Sequence, residues 1–296
     1  EELSEMGVLL VYFSGGEPLL RDDIFEIIET ARNLGLNCTI VTNGSLLNKK
    51  NVSKLIHSDI GSVIVSIDAP KAESHDQMRG VEGSFEKATK GIKRLRRFGG
   101  RKINIGINSI VSKKNLEVSE MARLANRLDV DGVRLLPYHY EDYPQNLYSS
   151  QSESLIPKDE ADIKKLENEI EKFIDLSAEY GLYTNYESFL REIPKYYRNK
   201  KKIKKCYAGN LFCAINSTGK VFPCFSIDTG RNVKHTSFKK IWHSSSFKKM
   251  RSIIRKNKCK GCFQACYKEI SMRGSLFQLA KNSKKELSEM KFFLNL

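Results

Sequence analysis

Five stretches of this chain are continuously apolar and rich in β-branched residues: VLLVYF (8–13), CTIVTNG (38–44), GSVIVSID (61–68), INIGINSIV (103–111) and GVRLLP (132–137). They do not alternate apolar with polar, which is the pattern of parallel strands covered on both faces. Between the first two lies RDDIFEIIETARNL (21–34), with apolar residues at 24, 25, 27, 28, 31 and 34, one helical face. Asp22 and Asp23 suit the start of that helix and Gly35 its end. Further helices are predicted at about 48–57, 84–98 and 115–128. A repeating βα period gives either a doubly wound sheet or a barrel-like sheet, and both gather function at the C-terminal ends of the strands. Those ends read SGGEP, TNGS, SIDAP, NSIVS and LLPYHY. Four of the five are polar and turn-forming, so one rim is marked as the working face.

After residue 138 the period breaks into a polar, Tyr-rich loop containing Tyr138, His139, Tyr140, Glu141 and Asp142. One long amphipathic helix is predicted over 159–180, with Ile163, Leu166, Ile170, Phe173 and Ile174 as packing residues. A basic connector follows, then a hairpin in LFCAINSTGKVFPCF, and a basic, helical C-terminal stretch of about 25 residues.

Of the 296 residues, 40% are hydrophobic and 29% charged, an ordinary globular balance. No apolar run reaches the ~18 residues of a membrane span. The start, EELSEMGVLL, is acidic, lacks the basic opening of a signal peptide, and does not begin with Met. It reads as entry into a domain already under way, and the expected location is the cytoplasm. The net charge of +15 has two readings. A basic surface can attract nucleic acid, acidic peptide or anionic lipid; it can equally reflect a Lys-rich composition. No nucleic-acid-binding motif accompanies the basic clusters, so neither nucleic acid nor membrane is an expected partner.

The turn Ser14-Gly15-Gly16-Glu17-Pro18 lets the backbone approach a ligand closely and places a carboxylate on the rim. That suits a ligand carrying an ammonium group and a carboxylate. A tight turn capped by Pro18 is the plainer alternative, and the phosphate-cradling patterns GxxxxGK[ST] and GxGxxG are not met at this turn. Six of the seven cysteines fall within residues 206–266: Cys206, Cys213, Cys224, Cys259, Cys262 and Cys266. That clustering points to metal or an iron–sulfur cluster. A zinc site remains open, although zinc ribbons use two CxxC pairs and only Cys259–Cys262 has that spacing. Cys38 stands alone as a small buried residue. His57, His75 and His235 show no ligand-like spacing, and Trp242 and His243 read as packing and surface respectively.

FSGGEPLL, followed by TNG, by SIDAP…HDQMRGVEGSFEKA and by the strand at 103–111, resembles the radical S-adenosylmethionine core over about residues 7–140. The resemblance implies a partial (β/α)6 TIM-like barrel whose first strand is missing. It implies that Ser14, Gly15, Gly16 and Glu17 hold the amino group of the methionine moiety. Thr42 and Asn43 belong to the cofactor rim, and Ser66 and Asp68 contact the ribose and its polar neighbours. Arg79 pairs with the cofactor carboxylate and Leu136 contacts the adenine. The implied chemistry is reductive cleavage of S-adenosylmethionine by a [4Fe–4S] cluster, yielding a 5′-deoxyadenosyl radical that abstracts a substrate hydrogen. The chain departs from the pattern in one respect. The CxxxCxxC motif that holds the radical-generating cluster precedes GGEP in that family, whereas the first cysteine here is Cys38. The expectation is an N-terminally truncated core, with no ligands for that cluster and no cofactor cleavage by these residues alone.

CYAGNLFCAINSTGKVFPC and FKKIWHSSSFKKMR resemble a SPASM or twitch extension over 205–270, which implies an auxiliary [4Fe–4S] cluster. The twitch-like ligand set is Cys206, Cys224, Cys259 and Cys262. Cys213 and Cys266 are then spare, or belong to a second, incompletely ligated cluster. In the sulfatase-maturing branch an Asp follows the cysteine that matches Cys224; here Phe225 stands there, which argues against that activity. The expected division is a core at 1–140, a linker with the long helix at 141–204, the auxiliary domain at 205–270 and a tail at 271–296. The expected function is modification of a peptide or protein side chain with a low-potential electron donor. Action on a small-molecule metabolite and a cluster-binding non-enzyme are the alternatives.

Overall fold

The computed structural model describes residues 1–138, 154–199, 206–224, 227–256, 258–259, 262–273 and 292–293. A short helix α1 (Glu2–Glu5) leads into β1 (Leu10–Phe13), α2 (Ile24–Asn33), β2 (Asn37–Thr42), α3 (Lys49–His57) and β3 (Ser62–Ser66). Then come α4 (Ala72–Arg79), α5 (Ser84–Gly99), β4 (Asn104–Val111), α6 (Ser119–Arg127) and β5 (Gly132–Pro137). The five strands are parallel and lie side by side in sequence order.

That order decides between the two sheets the βα period allows. A doubly wound sheet reverses its strand order part-way; right-handed crossovers in unbroken order put every helix on one face and curl the sheet. The packing agrees. Cys38, Ile40, Val63, Val65, Ile105, Ile107, Val133 and Leu135 share one core with Ile28, Leu55, Ile92 and Met121 of the helices. The opposite strand parity, Leu10, Val41 and Ile64, packs instead with Tyr183, Phe292 and Phe293. The fold is therefore mixed α/β with an open, barrel-like parallel sheet: an outer face under helices and an inner, concave face.

The inner face is organised in rows by the strand register. Tyr12, Thr39, Ser62 and Asn104 form the lowest row; Val41, Ile64, Gly106 and Gly132 the next; Ser66, Asn108 and Arg134 the third; Ile110 and Leu136 the highest. The second row is closed by aromatics from elsewhere. A Cβ on Gly106 would lie 3.0 Å from the Phe292 ring, and one on Gly132 would lie 2.6 Å from the Tyr183 carbonyl. Phe292 stacks on Tyr183 at 5.1 Å, and the Asn104 amide donates to the Phe292 carbonyl at 2.7 Å.

Two predicted helices start later than their periodicity suggests. Pro18–Leu20 takes a 3-10 turn, which delays α2 to Ile24. The α6 segment begins at Ser119 because Asn115 is spent holding strand ends together: its amide donates to the Asp68 and Ile110 carbonyls.

Beyond the sheet, α7 (Glu160–Glu179) buries Ile163, Leu166, Ile170 and Phe173 as its spacing predicts. The connector after it is more than a linker. Tyr183 forms a parallel bridge with Gly132 and so extends the sheet beyond β5, and α8 (Glu187–Leu190) and α9 (Ile193–Asn199) follow. The hairpin is present as β6 (Ala214–Ile215) and β7 (Val221–Phe222), antiparallel. Helices α10 (Phe238–His243) and α11 (Ser245–Arg255) place Trp242 against Phe247 and under the Arg251 guanidinium, a packing role. Helix α12 (Ala265–Arg273) docks on α8 and α9 through Phe263, whose ring stacks on Phe189 at 5.2 Å and on Tyr196 at 4.7 Å. The expected basic tail falls almost wholly outside the described residues.

Candidate functional site: the rim and inner wall

The SGGEP turn sits at the C-terminal end of β1, where Gly15 and Gly16 face open space. Gly15 has φ +144°, which L side chains rarely adopt. Glu17 does not stand free beside them. Its Oε1 accepts from the Leu19 amide at 3.2 Å and the Thr42 hydroxyl at 2.7 Å, and its Oε2 from the Asn43 amide at 2.7 Å. Its carboxylate thus ties the β1 rim to the β2 rim and fixes the height of the glycine turn. Thr42 also accepts from the Gly44 amide at 3.1 Å. Gly44 itself has φ +80° and lies against Ala88, 2.9 Å from a would-be Cβ, so this turn is locked onto α5.

The β3 end is clamped at nearly every group. The Asp68 amide donates to His75 Nδ1 at 3.0 Å, its carbonyl accepts from Asn115 at 2.6 Å, and its Oδ2 lies 2.7 Å from Arg79 Nε. Only Oδ1 is left, buried and without a partner. Arg79 therefore meets Asp68, where the resemblance assigns it the cofactor carboxylate. Burial pushes the Asp68 carboxyl up, against the opposing pull of Arg79 and of the Ile110 backbone amide. His75 is 1% exposed; burial, with Arg79 adding to it, lowers its pKa to about 4, so it is neutral and can accept. The neighbouring Asp76 accepts from the Gly83 and Phe85 amides and the Ser84 hydroxyl, anchoring the start of α5.

On the third row the polar residues are Ser66, Asn108 and Arg134. Asn108 Oδ1 and Arg134 Nε are both buried without a protein partner. Arg134 Nη2 instead donates to Glu269 of α12, whose Oε2 also accepts from Asn185 at 2.8 Å and whose Oε1 accepts from the Tyr186 amide at 2.8 Å. Burial works to lower the Arg134 pKa, and the Glu269 carboxylate more than reverses it, so the guanidinium stays charged. Asn108, Arg134, Tyr183 and Phe292 line a small cavity under this row.

Sequence reasoning singled out Ser14, Glu17, Thr42, Asn43, Ser66 and Asp68, and the structure gathers them at one rim, with Leu136 on the neighbouring edge. It missed Asn108, Arg134, His75, Asn115 and Glu269. A signal for two of them was available: Asn108 and Arg134 are polar residues on the inner parity of otherwise apolar strands. Tyr138 is half-buried, and its carbonyl accepts from Tyr197 at 3.4 Å. His139, Tyr140, Glu141 and Asp142 lie outside the described residues, as does Phe225.

The cysteines divide. Cys206 is half-buried; burial raises its thiol pKa, the Ser271 side chain opposes this, and the nearby Cys259 raises it further. The next residue, Tyr207, donates its amide to Ser271 Oγ at 2.9 Å, so the Cys206 loop rests on α12. Cys213 packs with Val221, Phe238, Ile241 and Phe247 in a separate apolar cluster, and burial pushes its thiol up to about 11. Cys38 is fully buried in the main core, and burial likewise pushes it up to about 11. Cys206, Cys213 and Cys259 carry free thiols; the Cys266 side chain lies outside the described residues. Among the described residues no three His, Cys, Asp or Glu side chains converge as a metal site.

The α/β rim and the cysteine-rich module have counterparts in known proteins. Residues 1–125 match the radical SAM superfamily, and the chain belongs to that superfamily. Residues 206–263 match SPASM, an iron-sulfur cluster-binding domain, which places the chain in the branch that carries this module. An AdoMet-dependent heme synthase from Methanosarcina barkeri is 31% identical over 275 residues, covering 88% of this chain and 76% of the relative. A PqqA peptide cyclase from Gluconobacter oxydans is 26% identical, over 83% of this chain and 66% of the relative. Among solved structures, Streptococcus suis SuiB aligns with TM-score 0.65 at 18% identity, over 85% of this chain and 59% of that one. The chain thus spans about three fifths to three quarters of these relatives. No described helix is long and apolar enough to cross a membrane.

Proposed function

We propose that the chain is the cofactor-binding core and auxiliary domain of a radical SAM enzyme that abstracts a hydrogen atom from a peptide or protein side chain. The observation that carries this reading is the rim. An open glycine turn is held at fixed height by Glu17, and beside it lies a buried Asp68 oxygen with no protein partner. An orphaned buried acceptor is open to a donor from outside the protein, and a ligand hydroxyl supplies one. These residues fit S-adenosylmethionine. Ser14, Gly15, Gly16, Glu17, Thr42 and Asn43 would hold its amino acid end, and Ser66, Asp68 and Leu136 its nucleoside. Arg79 would act through Asp68, by orienting that carboxylate.

The auxiliary residues fit a cluster by their chemistry. Cys206, Cys224, Cys259 and Cys262 are soft thiol donors, and Cys206 lies close to Cys259. Cys213, walled into its apolar cluster, is left out. When bound, the cofactor and a reduced cluster supply a primary-carbon radical, and the protein orients the substrate and excludes water. A peptide substrate is supported by the PqqA peptide cyclases and by SuiB, which has been solved with its precursor peptide. A second reading, a small-molecule metabolite, is favoured by the heme synthases, at 27–31% identity.

The test has two arms. Reconstituted anaerobically with iron and sulfide, the 296-residue chain should bind iron with equimolar labile sulfide, yet release no 5′-deoxyadenosine on reduction with S-adenosylmethionine. Joined to a segment carrying CxxxCxxC, it should release it. Zinc without sulfide would reject the auxiliary cluster, and no 5′-deoxyadenosine in the second arm would reject the enzyme.

A further inference from the structure

Asn108 and Arg134 are direct cross-strand partners on the inner wall, one row below the highest. Each carries a buried polar atom that the protein leaves without a partner: Asn108 Oδ1, an acceptor, and Arg134 Nε, a donor. Buried polar groups are normally satisfied, and leaving two unpaired is costly. They lie next to Ser66 in the same row and beneath Leu136, against the face proposed for the cofactor. Between them they leave one N–H and one C=O unpaired on neighbouring strands. A planar amide presents the complement, one C=O and one N–H.

Charge narrows the choice. Arg134 alone would attract a carboxylate. Here its charge is already met by Glu269, which reaches in from α12 and whose two oxygens are further occupied by Asn185 and the Tyr186 amide. Arg134 and Glu269 together are neutral. A carboxylate entering this buried row would add an uncompensated negative charge, which is expensive where water is excluded. A neutral amide adds none. The guanidinium is also immobilised by Glu269, so Nε is held ready and little ordering is needed on binding.

We propose that Asn108 and Arg134 form an amide-recognising subsite for the substrate, and that Glu269, by neutralising Arg134, is the residue that selects amide over carboxylate. The inference rests on the peptide reading for its natural substrate, a backbone or side-chain amide held near the reacting carbon. It reaches beyond that reading by assigning specificity to a residue of the auxiliary domain, which touches the barrel wall without touching the substrate.

Formamide and formate are matched small probes, and neither needs cofactor or cluster. Ligand-observed saturation-transfer NMR on the 296-residue chain should show formamide binding at least tenfold tighter than formate. Asn108→Leu should abolish the formamide signal. Glu269→Gln, nearly isosteric, should strengthen formate about tenfold or more and invert the preference; it also reports should Asn108→Leu not fold. A wild-type preference for formate, formamide binding untouched in Asn108→Leu, an unaltered preference in Glu269→Gln, or no binding of either probe would each overturn the subsite. The two readings separate cleanly. Peptide turnover without formamide binding removes the subsite alone, and formamide binding without turnover of any peptide removes the peptide reading alone.

Discussion

His75 shows how a single buried residue can hold a rim loop in place, by accepting from the Asp68 amide. No ligand spacing surrounds it in the sequence, and its role became visible only when α4 folded it under Asp68. Burial holds its pKa near 4, below the usual 6.5. Above pH 6.5 it is neutral in both folded and unfolded chains, so its contribution is fully present. Between pH 6.5 and about 4 the unfolded chain takes up a proton that the folded one refuses, and stability falls by roughly 3 kcal/mol. The difference in stability between wild type and His75→Gln, measured by urea unfolding across that range, should shrink or reverse as pH falls; a constant difference would reject the assignment. The cysteines differ by the same logic of surroundings. Cys213→Ala should retain the iron and sulfide bound by wild type, whereas Cys206→Ala should lose most of it, as read by iron analysis and the cluster's visible absorbance. Spacing in the sequence left Cys213 undecided, because spacing does not say that its neighbours are Val221, Phe238 and Phe247.

At the scale of elements, the strands were legible to within two residues at each end and the connector after α7 was not. Continuous apolar runs are unambiguous when flanked by helices of clear period. Residues 181–199 mix Tyr, Phe and Leu with charges and lack a single period, because their apolar side chains face two partners: Tyr183 turns to the inner wall and Phe189 to α12. Helix α4 was missed for the opposite reason. It buries only His75, and so has no apolar stripe to read. The docking of α12 rests heavily on Phe263, held between Phe189 and Tyr196. Phe263→Ala should cost about 3–5 kcal/mol locally. Hydrogen exchange should quicken in α12 and around Cys259, while β1–β5 keep their protection. Uniform loss of protection throughout would mean that the two regions unfold as one.

At the scale of the whole molecule, the class of fold followed from the βα period, but the choice of a curled sheet needed the strand order, which no local pattern carries. The rim was legible because turn-forming polar residues after apolar runs are rare enough to stand out. The inner wall was legible only by parity, and its completion by Glu269 not at all, since nothing in a sequence says which distant carboxylate will meet a buried arginine. The regions matching radical SAM and SPASM are separate in sequence; the Arg134–Glu269 contact ties β5 to α12, and Phe263 packs on the connector helix α9.

That contact also sets an order of assembly. Arg134 and Glu269 are 135 residues apart in the chain. At a synthesis rate of roughly 5–20 residues per second, about 7–27 s pass between the making of the arginine and of its carboxylate. During that interval all five strands already exist, but the third row of the wall holds a charged group with no counter-ion and cannot be dry. The wall is thus begun early and finished late. A ribosome stalled before α12, but far enough on for β5 to have left the exit tunnel, would hold five strands under their helices around a row that is still wet.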